Sequence, residues 1–114
     1  MSKLNFLIVF LGLILSSCLR TTDEFCRSIT ISDVHFEDSI SSGLSETDGI
    51  YSVWIKLNGE VANDIRINNE FSIPAGTVDT LISNRDHYSP TFYYLVENEH
   101  GGKVDLDICV GFAY

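Results

Sequence analysis

The chain has 114 residues and a formal charge of −9, with seven basic residues against sixteen acidic ones. That length fits one domain, and so few Lys and Arg exclude a nucleic-acid groove, which needs clustered positive charge. Two Pro, eight Gly and 45% hydrophobic residues exclude a disordered or fibrous chain.

In chain order, Lys3 comes first and is followed by an apolar run over residues 6–15, broken only by Gly12. Ten residues of helix span about 15 Å, half of a bilayer core, so this run is the hydrophobic region of an export signal and not a membrane span. It ends in Leu15-Ser16-Ser17-Cys18. An aliphatic residue, two small residues and a Cys at that place resemble the lipobox of bacterial lipoprotein precursors. The resemblance implies that residues 1–17 are a signal peptide, that the chain is cut before Cys18, and that acylated Cys18 anchors it in a lipid bilayer. More than one acyl chain makes such an anchor firm. Leu19, where these lipoproteins carry Asp for inner-membrane retention, implies the outer membrane in a Gram-negative host. None of this bears on residues 19–114.

Residues 18–25 then read as the lipidated Cys and a short polar tether, and residues 26–114 as the domain. Residues 27–32 alternate with period two, the mark of a half-buried strand, and Val34 and Phe36 prolong the pattern. Residues 37–49 are rich in Ser, Asp, Glu and Gly and read as a loop. A second strand covers residues 51–57, and Asn58-Gly59 signals a hairpin. Residues 61–67 make a weaker strand, Asn68-Asn69 turns the chain into residues 71–73, and Pro74-Ala75-Gly76 turns it again. Residues 78–82 are a short strand and residues 84–90 a loop. Residues 92–96 are apolar on both faces, which predicts a central strand. His100-Gly101-Gly102 turns the chain into a last strand over residues 104–112. The pattern predicts an all-β fold, a small β-sandwich of six to eight short strands, immunoglobulin-like or transthyretin-like.

Two details of register follow. A three-residue turn at residues 100–102 pairs Leu106 with Val96, Ile108 with Tyr94 and Val110 with Phe92 in a terminal hairpin. With Cys18 acylated, Cys26 and Cys109 are the remaining thiols and are expected to form a disulfide in an oxidising compartment. Cys26 has the parity of Ser28 and Thr30, and Cys109 that of Asp105 and Asp107. Both thiols point away from the apolar faces of their strands. They can bond only if the first and last strands are neighbours in one sheet, bridged on its outer face.

For function, the terminal hairpin sets Glu97 opposite Asp105, with Asp107 beside them, an acidic face suited to a basic protein partner. Trp54, on the face opposite Val53 and Ile55, is a candidate interface anchor. His35, His87 and His100 have no metal-like spacing with each other or with Cys. No nucleophile elbow is present, and a domain this small offers little concavity for a substrate. The reading is therefore a non-enzymatic binding module without metal or cofactor. An inhibitor or immunity protein against a basic enzyme or toxin is the first expectation. A structural or accessory subunit of an outer-membrane or cell-surface assembly is the second.

Overall fold

Alternation of apolar and polar residues carries the described residues into eight strands, and their inward faces need each other. The computed structural model describes residues 22–114; the expected signal peptide and Cys18 lie outside the described residues. The strands are β1 (Thr22–Ile31), β2 (His35–Ser41), β3 (Ser52–Val61), β4 (Ile65–Ile67), β5 (Phe71–Ile73), β6 (Gly76–Asp86), β7 (Thr91–Glu97) and β8 (Val104–Ala113). A single 3-10 turn, Glu46–Asp48, lies between β2 and β3. The strands form two four-stranded sheets, β1-β8-β3-β6 and β2-β7-β4-β5, and every pairing is antiparallel.

The small all-β sandwich expected from the sequence is thus present, and its first and last strands are neighbours as the cysteine parity requires. First pairs with last (β1·β8), then β2·β7, β3·β6 and β4·β5. This is one long hairpin with β4–β5 at its tip, rolled so that successive strand pairs alternate between sheets. It is the double Greek key of a jelly roll. Immunoglobulin-like and transthyretin-like sandwiches keep several consecutive strands side by side; here only β4 and β5 are so placed.

Ile29, Val53, Ile55, Leu57, Val61, Leu106, Ile108, Val110 and Phe112 point inward from the first sheet. Ile40, Ile65, Ile67, Ile73, Phe92, Tyr94 and Val96 meet them from the second. Each fully buried Leu or Phe contributes about 1.5–3 kcal/mol relative to exposure. An arginine closes each open side of the sandwich. On one side Arg27 of β1 reaches Asp38 of β2 at 3.0 Å, and the Tyr94 hydroxyl donates to the same carboxylate at 3.4 Å. On the other side Arg85 of β6 pairs with Glu70 and lies over the Phe71 ring, 5.2 Å from its centroid.

Several expectations are corrected. Residues 22–25, expected as tether, are the start of β1. Val34 and Phe36 do not prolong that strand; the chain breaks at residues 32–34, and the first part of the expected loop, residues 37–41, belongs to β2 in the other sheet. Asn58-Gly59 is not a turn, and β3 runs straight through it. Gly59 (φ 145°) faces β8 so closely that a Cβ would overlap the Asp105 carbonyl oxygen. Glycine at this point marks close approach of two strands, not a reversal. β6 extends beyond residues 78–82 at both ends.

The expected terminal hairpin does not form. β8 lies between β1 and β3, while β7 lies in the other sheet, so Leu106–Val96, Ile108–Tyr94 and Val110–Phe92 are not neighbours in a ladder. The link is six residues long, 98–103, and Asn98 steers it across the sandwich. Asn98 is fully buried, its N–H donates to the Val34 carbonyl at 2.8 Å, and its Nδ2 donates to the Gly102 carbonyl at 2.6 Å.

Candidate functional site

The outer face of the first sheet brings most of the candidate residues together. Cross-strand register places Glu24, Gly111 and Trp54 in one row across β1, β8 and β3. The next row runs Cys26, Cys109, Lys56 and Leu81, and the third Ser28, Asp107, Asn58 and Asp79. The fourth is Thr30, Asp105, Glu60 and Thr77. The first two rows hold Trp54, the disulfide and Leu81 beside single charges at Glu24 and Lys56, and the last two are acidic.

Cys26 and Cys109 are register partners with Cα atoms 4.0 Å apart, and they are disulfide-bonded. The bond lies on the outer face between neighbouring strands, as the parity of the two residues requires. It ties edge strand β1 to the centre of the sheet. Glu24, Cys26 and Cys109 lie close together, but their sulfurs are consumed in the bond, so the group offers one carboxylate to a cation.

Trp54 stands on central strand β3 and points outward, as expected. The residue beside it on β8 is Gly111, and a Cβ there would overlap Cε2, Cζ2 and Nε1 of the indole. The ring therefore rests directly on the glycine, half-buried, with Lys56 Nζ 5.9 Å from its centroid. Leu81, diagonal to it on β6, is 62% exposed. A large apolar side chain so exposed beside a Trp is the kind of surface that partners cover.

Asp105 and Asp107 both stand on this face. The Ser28 hydroxyl donates to Asp107 Oδ1 at 2.5 Å, and the Thr30 hydroxyl donates to Asp105 Oδ1 at 3.3 Å. These bonds fix the carboxylates without neutralising them. Asp105 faces Glu60 directly, an unfavourable like-charge pair. Glu60, Asp79, Lys56 and Leu81 were not singled out from the sequence. Parity along β3 and β6 places them on this face, but the neighbouring strands had to be known first.

Glu97 does not belong to this face. It lies on the outer side of the second sheet, opposite His35 and Arg66. There it lines an open groove of about 470 Å³ with Asp64, Arg66, Ser72, Pro74 and Glu99. The expected Glu97–Asp105 pair fails for the same reason as the terminal hairpin: β7 and β8 face each other across the core.

The histidines are scattered. His35 pairs with Glu37 at 3.3 Å, and His87 Nε2 contacts the Thr91 carbonyl at 3.0 Å while its ring packs edge-on against Phe92 and Phe112. Burial, helped by the negative charge of Asp38, pushes the Tyr94 hydroxyl up to about 12. The hydrogen bond from Tyr114 to Asp23, 2.7 Å long, raises the Tyr114 hydroxyl in the same sense.

Among the described residues no helix is long and apolar enough to cross a membrane. No family model matches the chain, and comparison with curated proteins and with solved structures gave no match.

Proposed function

We propose that this chain is a lipid-anchored envelope protein whose sandwich binds a basic protein through the outer face of its first sheet. The observation that carries the reading is the continuity of that face. Trp54 and Leu81 adjoin rows holding Asp79, Asp105, Asp107 and Glu60, and one partner surface can meet both halves. Acidic rows steer a cationic partner into encounter. The desolvated indole then supplies residence time. In the sequence, residues 19–21 separate Cys18, the proposed anchor, from β1. Capture of a basic envelope-attacking enzyme or toxin suits such a module.

A second reading, a structural or accessory subunit of an outer-membrane or cell-surface assembly, rests on the exposure of Leu81 beside Trp54. The two differ in their response to salt. Association of the soluble chain from residue 19 with its captured partner is measured at low and high ionic strength. Binding led by the acidic rows loses on-rate steeply as salt rises, whereas apolar docking does not. A salt-independent on-rate would contradict the first reading.

A further inference from the structure

The four edge strands of the sandwich are β1, β6, β2 and β5, and each could recruit another chain through its unpaired backbone. Three of them are guarded. β1 carries Asp23, Glu24 and Arg27. β2 points a charged residue, Asp38, toward the core side. β5 has three residues and runs into Pro74. β6 is different. It has eleven residues, Asp79 is the sole charge from Gly76 to Ser83, and Leu81 is 62% exposed. Its bulge comes only after Ile82.

The free stretch, residues 77–83, reads Thr-Val-Asp-Thr-Leu-Ile-Ser. Directly opposite residues of an antiparallel pair share a face of the sheet. A two-fold axis that joins two copies of β6 into one continuous sheet must therefore run midway between one residue and its own copy directly opposite. On Asp79 the axis would set two carboxylates against each other. On Thr80 no carboxylate directly opposes another, and Asp79 with Leu81 is the one mismatched pair. Val78 meets Ile82 of the second copy on the core side, and Thr80 meets Thr80. Thr77 meets Ser83 on the outer side, and Asp79 meets Leu81, so no carboxylate faces its own kind. Apart from Asp79 and Leu81, the stretch is a chemical palindrome about Thr80.

We propose that β6 pairs antiparallel with β6 of a second copy of this chain about Thr80. The product is one eight-stranded sheet, β1-β8-β3-β6-β6-β3-β8-β1. It closes as a symmetric dimer because the outer edges that remain are the charged β1 strands. The axis stands perpendicular to the sheet, so the two acidic outer faces point the same way and form one platform.

The test uses the chain from residue 19 with its disulfide intact, in sedimentation equilibrium over a range of concentrations. Thr77 and Ser83 are exposed, so T77E/S83E and T77K/S83K should fold, which thermal melting checks. The unaltered chain should show a monomer–dimer equilibrium. Each variant places like charges opposite each other twice and should weaken dimerisation about tenfold. A mixture of the two variants should recover it as a heterodimer, because each Glu then faces a Lys. A chain that stays monomeric up to about millimolar concentration, where even weak association registers, would overturn the proposal. So would a mixture that associates no better than either variant alone.

Discussion

Removal of the Cys26–Cys109 bond is the perturbation whose cost follows most directly from the topology. The bond joins residues 83 apart in sequence. Chain entropy values the closure of such a loop at about 4.5 kcal/mol. Domains of this size have a total stability of only about 5–15 kcal/mol. The bond also holds β1, an edge strand, onto β8, so its loss frees Ile29 and Phe25 from the core side. The assay is urea unfolding of C26S/C109S beside the unaltered chain with and without reductant. With a urea slope near 1.5 kcal/mol per molar, the midpoint should fall by about 3 M. Reduced wild-type protein should match the double variant, because both lack the same constraint. A midpoint shift under about 0.7 M, equivalent to roughly 1 kcal/mol, would refute the reasoning. It would mean that β1 is held by its ladder and packing alone.

Gly59→Ala should destabilise the fold by about 2–3 kcal/mol, because a Cβ meets the Asp105 carbonyl at a backbone φ that side chains avoid; an unchanged melting temperature would show that β3 and β8 can separate there. Gly111→Val should expel the indole from its seat on β8 and shift Trp54 fluorescence to the red, while an unshifted spectrum would contradict the stacking. Tyr94 is raised in the folded state by burial and by Asp38, so its contribution to stability is complete below pH 10 and is lost as pH rises from 10 through about 12. Ultraviolet titration should show this late-titrating hydroxyl, and Asp38→Asn should bring it down; titration of all tyrosines together near pH 10 would contradict the cluster. Replacement of Glu60, Asp105 and Asp107 by Gln or Asn should relieve repulsion within the sheet and raise the melting temperature slightly, while slowing association with a basic partner; an unaltered on-rate would remove those carboxylates from the docking face.

Local alternation was read well because it is a local property. The strand over residues 104–112, the Asn68-Asn69 turn (φ 55° and 56°) and the central position of residues 92–96 all appear as expected. The disulfide was legible for the same reason: parity says which way a side chain points, and two outward thiols bond only across neighbouring strands. Partnership between strands was not legible. Val96 and Leu106 are both inward-facing, and alternation looks the same whether two such strands lie side by side or face each other across the core. Glu97 was misplaced by that ambiguity, and Glu60, Asp79 and Leu81 were missed by it. Asn58-Gly59 carries a strong turn signature, yet the close approach of β8 uses the same lack of a side chain for a different end.

The central proposal, an envelope protein held by lipid, is tested most directly by mass spectrometry of the protein isolated from its native membrane fraction. The expected N-terminal peptide begins at Cys18, lacks residues 1–17, and carries the mass of two or three acyl chains, with Cys18→Ser abolishing both the cleavage and the added mass. A mature chain that retains residues 1–17, or one that carries Cys18 unmodified, would contradict the account.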